Sequence, residues 1–83
     1  MKQEAEYNVG RIFHQLGLLT LAVGYYVRAI NLGNLGETEG SGEMGRLDGG
    51  GVTFEAAHNL ALVYALSGNM SAARDVTEKY SVL

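Results

Sequence analysis

Apolar residues recur along the first thirty positions at helical spacing rather than in alternation. Ala5, Val9, Ile12, Phe13 and Leu16 lie three or four apart, which stacks them on one helical face with Glu6, Arg11 and Gln15 off it. Gly17 interrupts the run. Leu19, Ala22, Val23, Tyr26 and Ile30 then repeat the spacing as far as Gly33, a residue suited to the left-handed conformation in which many helices end. The two runs predict an antiparallel helix pair. A second pair is predicted after position 52: Thr53 is a good N-cap with Glu55 in the first turn, and Ala57, Leu60, Ala61 and Tyr64 mark the inward face before Gly68-Asn69. Ser71 can cap a last helix carrying Ala73, Val76, Thr77 and Tyr80. No segment shows the two-residue alternation of a half-buried strand.

Eight of the twelve glycines fall between positions 33 and 51, so the chain divides into hairpins over 1–33 and 53–83 and a Gly-rich linker over 34–52. High chain entropy and few apolar groups predict that this linker is mobile. Its charges, Glu37, Glu39, Glu43 and Asp48 against Arg46, sum to −3, which is the net charge of the whole protein. The arms are balanced and offer no concentrated positive field, which argues against direct nucleic-acid binding. At 83 residues the chain accommodates one small domain, and 47% hydrophobic against 18% charged residues is too apolar for general disorder. The absence of cysteine excludes disulfide frameworks, thiolate nucleophiles and zinc-thiolate sites. The opening Met-Lys-Gln-Glu-Ala-Glu does not read as a secretory signal. The longest apolar stretch, Leu16 to Val27, is interrupted by Thr20 and two glycines and falls short of the roughly 20 residues a bilayer-spanning helix needs.

Sliding one arm on the other by 51 positions aligns Asn8 with Asn59, Phe13 with Tyr64, Gly17 with Gly68 and Ala22 with Ala73. Val9-Gly10, Phe13, Gly17, Leu19, Ala22, Tyr26 and Ala29 sit at a spacing that resembles the tetratricopeptide repeat. An offset of 51 then equals one period of about 34 residues plus an insertion of about 17. Small residues at Gly10 and Ala22 suit a close helix crossing, with Phe13 and Tyr26 filling the space beside it. The strings YNVGRIFHQLGLLTLAVGYYVRAI and AAHNLALVYALSGNMSAARDV resemble the last two repeats of the tetratricopeptide subunit of RNA polymerase III general transcription factor IIIC. The most specific part is the run with Asn8, Gly10, Arg11, His14, Leu16, Gly17 and Leu18, since a generic repeat does not demand Asn, Arg and His there.

Other motifs are outweighed by simpler readings. Gly40 to Gly45 matches G-x-G-x-x-G, yet a dinucleotide site needs a preceding strand and a following helix N-terminus, and here an acidic Gly-rich stretch surrounds it. Glu55-Ala56-Ala57-His58 has the Glu-x-x-His spacing of di-iron bundles, but the equivalent first-arm positions are Glu4 and Tyr7, so only half a site exists. His14 and His58 have no visible serine, acid and oxyanion arrangement to serve. The expectation is therefore a non-enzyme without metal or cofactor.

Tyr7, Arg11, His14 and Gln15 share the other face of the first helix, which in tetratricopeptide arrays lines the concave groove. Their equivalents 51 residues on are His58, Leu62, Ala65 and Leu66, and the groove residues expected from the second arm are His58, Asn59, Leu62 and Leu66. This face reads equally as solvated helix surface, although Leu62 and Leu66 in a row favour burial against something else. The resemblance implies an all-α, nuclear, protein-protein interaction scaffold, a C-terminal piece of a factor IIIC subunit. Its implied partners are other factor IIIC subunits and factor IIIB components, with no membrane. The alternative is a free-standing tetratricopeptide adaptor for a peptide or chaperone tail, of whose family's lysine, asparagine and arginine carboxylate clamp only Arg11 and Asn59 are approximated here. Two repeats without a cap also predict self-association through their uncovered ends.

Overall fold

The computed structural model describes residues 2–39 and 51–80. Four α-helices, and no strand among the described residues, make up the fold: α1 (Lys2–Gln15), α2 (Leu19–Glu39), α3 (Thr53–Leu66) and α4 (Met70–Tyr80). Each helix packs against its neighbour in sequence, α1 on α2, α2 on α3 and α3 on α4. None is long and apolar enough to cross a membrane among the described residues.

The 51-residue offset is written into the backbone. α1 and α3 begin at residues 2 and 53, α2 and α4 at 19 and 70. In the first turn Leu18 N donates to Phe13 O and Gly17 N to His14 O, and in the second Asn69 N donates to Tyr64 O and Gly68 N to Ala65 O. Every one of these partners is displaced by 51. Both turns are Schellman closures, in which the residue after the helix must take a positive φ; Gly17 has φ 81° and Gly68 φ 85°.

Two capping expectations are corrected. Thr53 is the first helical residue of α3 rather than its cap: Val52 precedes it without a side-chain cap bond, and Thr53 is buried. Its hydroxyl oxygen instead accepts from Gln3 Nε2 at 2.8 Å. Ser71 lies inside α4, which is capped by Asn69, whose Oδ1 accepts from Ala72 N at 3.2 Å. The stop expected at Gly33 is also overturned, because α2 continues to Glu39 and takes the first six residues of the expected linker into helix. Gly33 is glycine for another reason: a Cβ there would run into Thr53 Oγ1 and Gln3 Nε2. The G-x-G-x-x-G match and most of the expected mobile linker lie outside the described residues.

The core is centred on α2 and α3. Ala22, Tyr26, Ala29 and Ile30 meet Ala56, Ala57, Leu60 and Val63, all buried, with Tyr7, Phe13, Tyr64, Val76 and Tyr80 packed around them. Alanines at the crossing let the helices approach closely, and burial of a side chain such as Leu60 or Val63 contributes about 1.5–3 kcal/mol. Gly10 is the buried residue of α1; a Cβ on it would lie 2.9 Å from the Tyr26 ring. The apolar face expected on α1 is therefore only partly used. Ile12 and Leu16 are 55% and 66% exposed. A last helix without a capping neighbour is expected to expose Val76 and Tyr80 as an outer apolar stripe, but both turn toward the core.

Candidate groove between the first and third helices

Positions 7, 11, 14 and 15 recur on one side of α1 because residues four, seven and eight apart share a helical face. α3 packs its Asn59 beside that face. Tyr7, Arg11, His14 and Gln15 from α1, Tyr26 from α2 and Asn59 from α3 together line one open pocket of about 480 Å³.

A connected polar set forms its floor. Asn59 Nδ2 donates to the Tyr7 hydroxyl at 3.2 Å, and the Tyr26 hydroxyl lies 3.1 Å from His14 Nδ1. The Tyr7 and Tyr26 rings are 5.9 Å apart and tilted by 42°, while His14 meets Tyr26 edge-on at 5.9 Å. Arg11 lies over the Tyr7 ring, 5.9 Å from its centroid, where the electron-rich face favours a cation. Burial pushes the Tyr26 hydroxyl above its ordinary value; the neighbouring Tyr7 adds to the rise, and Asn59 and Arg11 oppose it. Tyr26 therefore stays a neutral donor through the physiological range.

A second pocket of about 350 Å³ continues from the first. It is lined by Tyr7, Phe54, Glu55, His58 and Asn59, so Tyr7 and Asn59 form the wall between the two. Glu55 and His58 are exposed there, and among the described residues no group of three potential metal ligands is present. Leu62 and Leu66, 45% and 67% exposed, line neither pocket. The structure thus brings together Tyr7, Arg11, His14, Gln15 and Asn59, sets His58 next door and leaves Leu62 and Leu66 apart. Tyr26 was read from sequence only as a packing residue. Its ring is one, being wholly buried, yet its hydroxyl reaches the pocket floor, and only the presence of a phenol where Phe would pack hinted at this.

No protein-family profile matches the chain, and no solved structure matches it. Three curated proteins do. The transcription factor tau 131 kDa subunit of Saccharomyces cerevisiae is 37% identical over 79 residues, 95% of this chain and 6% of that protein. The transcription factor tau subunit sfc4 of Schizosaccharomyces pombe is 39% identical over 83 residues, 98% of the chain and 8% of the relative. General transcription factor 3C polypeptide 3 of Homo sapiens is 42% identical over 78 residues, 94% of the chain and 8% of the relative. The chain spans less than a tenth of the length of each of these relatives. These matches, each over nearly all of the chain, agree with the resemblance read from the Asn8–Leu18 run: the chain corresponds to a short segment of this general transcription factor IIIC subunit.

Proposed function

We propose that the chain is a protein-protein interaction scaffold within a transcription factor IIIC subunit, helping to assemble the RNA polymerase III initiation complex in the nucleus. It works as two tetratricopeptide-like hairpins joined by a Gly-rich segment, near the end of a repeat array. Other factor IIIC subunits and factor IIIB components are its partners, and no cofactor, metal or catalytic step is involved. The observation that carries this reading is the similarity to one subunit of that factor from three organisms over at least 94% of the chain. Two features of the fold support it: the turn hydrogen bonds that recur at an offset of 51, as repeats require, and an open groove along α1 and α3.

The uncovered side of α1 fits the same picture. Ala56 and Val63 are wholly buried against α2, whereas Ala5 and Ile12, their counterparts 51 residues earlier, are exposed. A neighbouring repeat supplies their cover in an array. The test is reconstitution of factor IIIC from a full-length subunit with and without Arg11→Glu and Tyr7→Ala in this segment. Loss of a second subunit or of a factor IIIB component from the purified assembly is the expected result. An unaltered assembly, combined with capture of an acidic C-terminal peptide by the chain, would favour the free-standing adaptor instead.

A further inference from the structure

The two adjoining pockets have opposite charge character. The larger is lined by one cation, Arg11, and by no carboxylate, and its remaining lining is rich in hydrogen-bond donors. Tyr7 accepts from Asn59, which leaves its own hydroxyl hydrogen to donate outward. A neutral Tyr26 hydroxyl can donate to His14 Nδ1, which places the imidazole proton on Nε2 as a further donor. The smaller pocket is lined by Glu55 and holds no Lys or Arg. Tyr7 and Asn59 line both, so the two pockets lie side by side and one extended ligand can reach into each.

We propose that this double pocket recognises a segment of a protein partner carrying an acidic side chain and, a few residues away, a basic one. The carboxylate sits against Arg11 among the donors of the larger pocket. The base sits against Glu55 in the smaller one. The pairing fixes the direction of the segment as well as its identity, because a reversed segment brings like charges together at both ends. This rests on the scaffold reading above and supplies the chemistry of its partner.

Such an interaction is electrostatic and partly exposed, so it weakens with salt. The experiment is a nuclear magnetic resonance titration of the 15N-labelled 83-residue chain with blocked peptides. The probe is acetyl-Ala-Asp-Ala-Ala-Lys-Ala-amide, and its controls replace Asp by Asn, exchange Asp with Lys, or replace Asp by phosphoserine. The expected result is saturable shifts at Arg11, Tyr7, Asn59 and Glu55, with affinity lower for the Asn peptide by about two- to fivefold, the scale of one exposed ion pair, while the exchanged peptide binds in the opposite direction. Arg11→Gln removes that preference and Arg11→Lys keeps most of it, while the spectrum away from the pocket is unchanged in both. Absence of shifts at about 10 mM peptide, equal binding of the Asn peptide, or tighter binding of the phosphoserine peptide would each overturn the proposal. Reconstitution of the factor is measured separately. Peptide binding with normal assembly sinks the scaffold reading alone, and an assembly defect without peptide binding sinks the double-pocket proposal alone.

Discussion

Gln3 joins three helices through one amide, and its removal should loosen the contact between the two hairpins. Its Nε2 donates to Ala29 O at 3.1 Å and to Thr53 Oγ1 at 2.8 Å, and its Oε1 accepts from Val52 N at 3.3 Å. These bonds reach from the first turn of α1 to the middle of α2 and the start of α3, across sequence separations of 26 to 50 residues. A part-buried hydrogen bond contributes about 0.5–1.5 kcal/mol net, and the longest of the three lies at the weak end. Gln3→Ala also gains a few tenths of a kcal/mol in helix propensity. The net loss expected is therefore about 2 kcal/mol. For a domain of this size that lowers Tm by roughly 8–16 °C.

Circular dichroism should show unchanged helix content at low temperature with an earlier melt, because the amide holds helices together and does not form them. Gln3→Glu sets a carboxylate oxygen against Ala29 O with no proton between them, so it should be at least as unstable as Gln3→Ala. A double-mutant cycle of Gln3→Ala with Thr53→Val isolates one bond and should return a coupling of about 1 kcal/mol. If Gln3→Ala melts within about 2 °C of wild type, or if the cycle is additive, the latch does not hold the hairpins.

Gly10→Ala should destabilise by about 1–3 kcal/mol, because the added Cβ meets the wholly buried Tyr26 ring at 2.9 Å; urea unfolding checks it, and an unchanged midpoint would show that α1 and α2 do not cross there. Stability should fall as pH rises above about 10, since Tyr26 ionises in the unfolded chain near that ordinary value but later in the folded one, where burial raises it. Below that pH the contribution is constant, and Tyr26→Phe should remove this part of the alkaline loss in a pH-dependent unfolding series. Ile12→Glu should reduce any self-association of the isolated chain without unfolding it, because Ile12 is largely exposed; sedimentation at several concentrations reads the result, and an unchanged mass distribution would exclude this face as the contact.

What could be read from sequence alone was whatever repeats or whatever a single residue type enforces. Gly17 and Gly68 marked both turns because a positive φ admits few other residues, and the 51-residue offset followed from their pairing with Phe13 and Tyr64. Helical periodicity located all four helices, yet it placed Leu16 and Ile12 inside. Periodicity identifies a face, and whether a neighbour covers that face depends on packing order, which for α1 leaves one side open. The groove residues Tyr7, Arg11, His14 and Gln15 were visible as a helical face, but the share taken by Asn59 required knowing that α3 lies beside α1.

Local rules failed where a distant side chain decided the outcome. Thr53 and Gly33 each carried a clear local signal, one for a cap and the other for a stop. Both instead serve the amide of Gln3, which stands 50 residues from the first and 30 from the second. A hydroxyl buried at the start of α3 needs a partner, and the Gln3 amide supplies it only if α2 approaches without a side chain at position 33. Gly51, with φ 63°, lies on the same amide, since a Cβ there would stand 2.7 Å from Gln3 Oε1. Gln3, Gly33, Gly51 and Thr53 thus form one unit whose members have no common pattern in sequence. They hold α1 beside α3 near the end opposite the two Schellman turns, and the position of Asn59 against Tyr7, on which the double pocket depends, follows from that register.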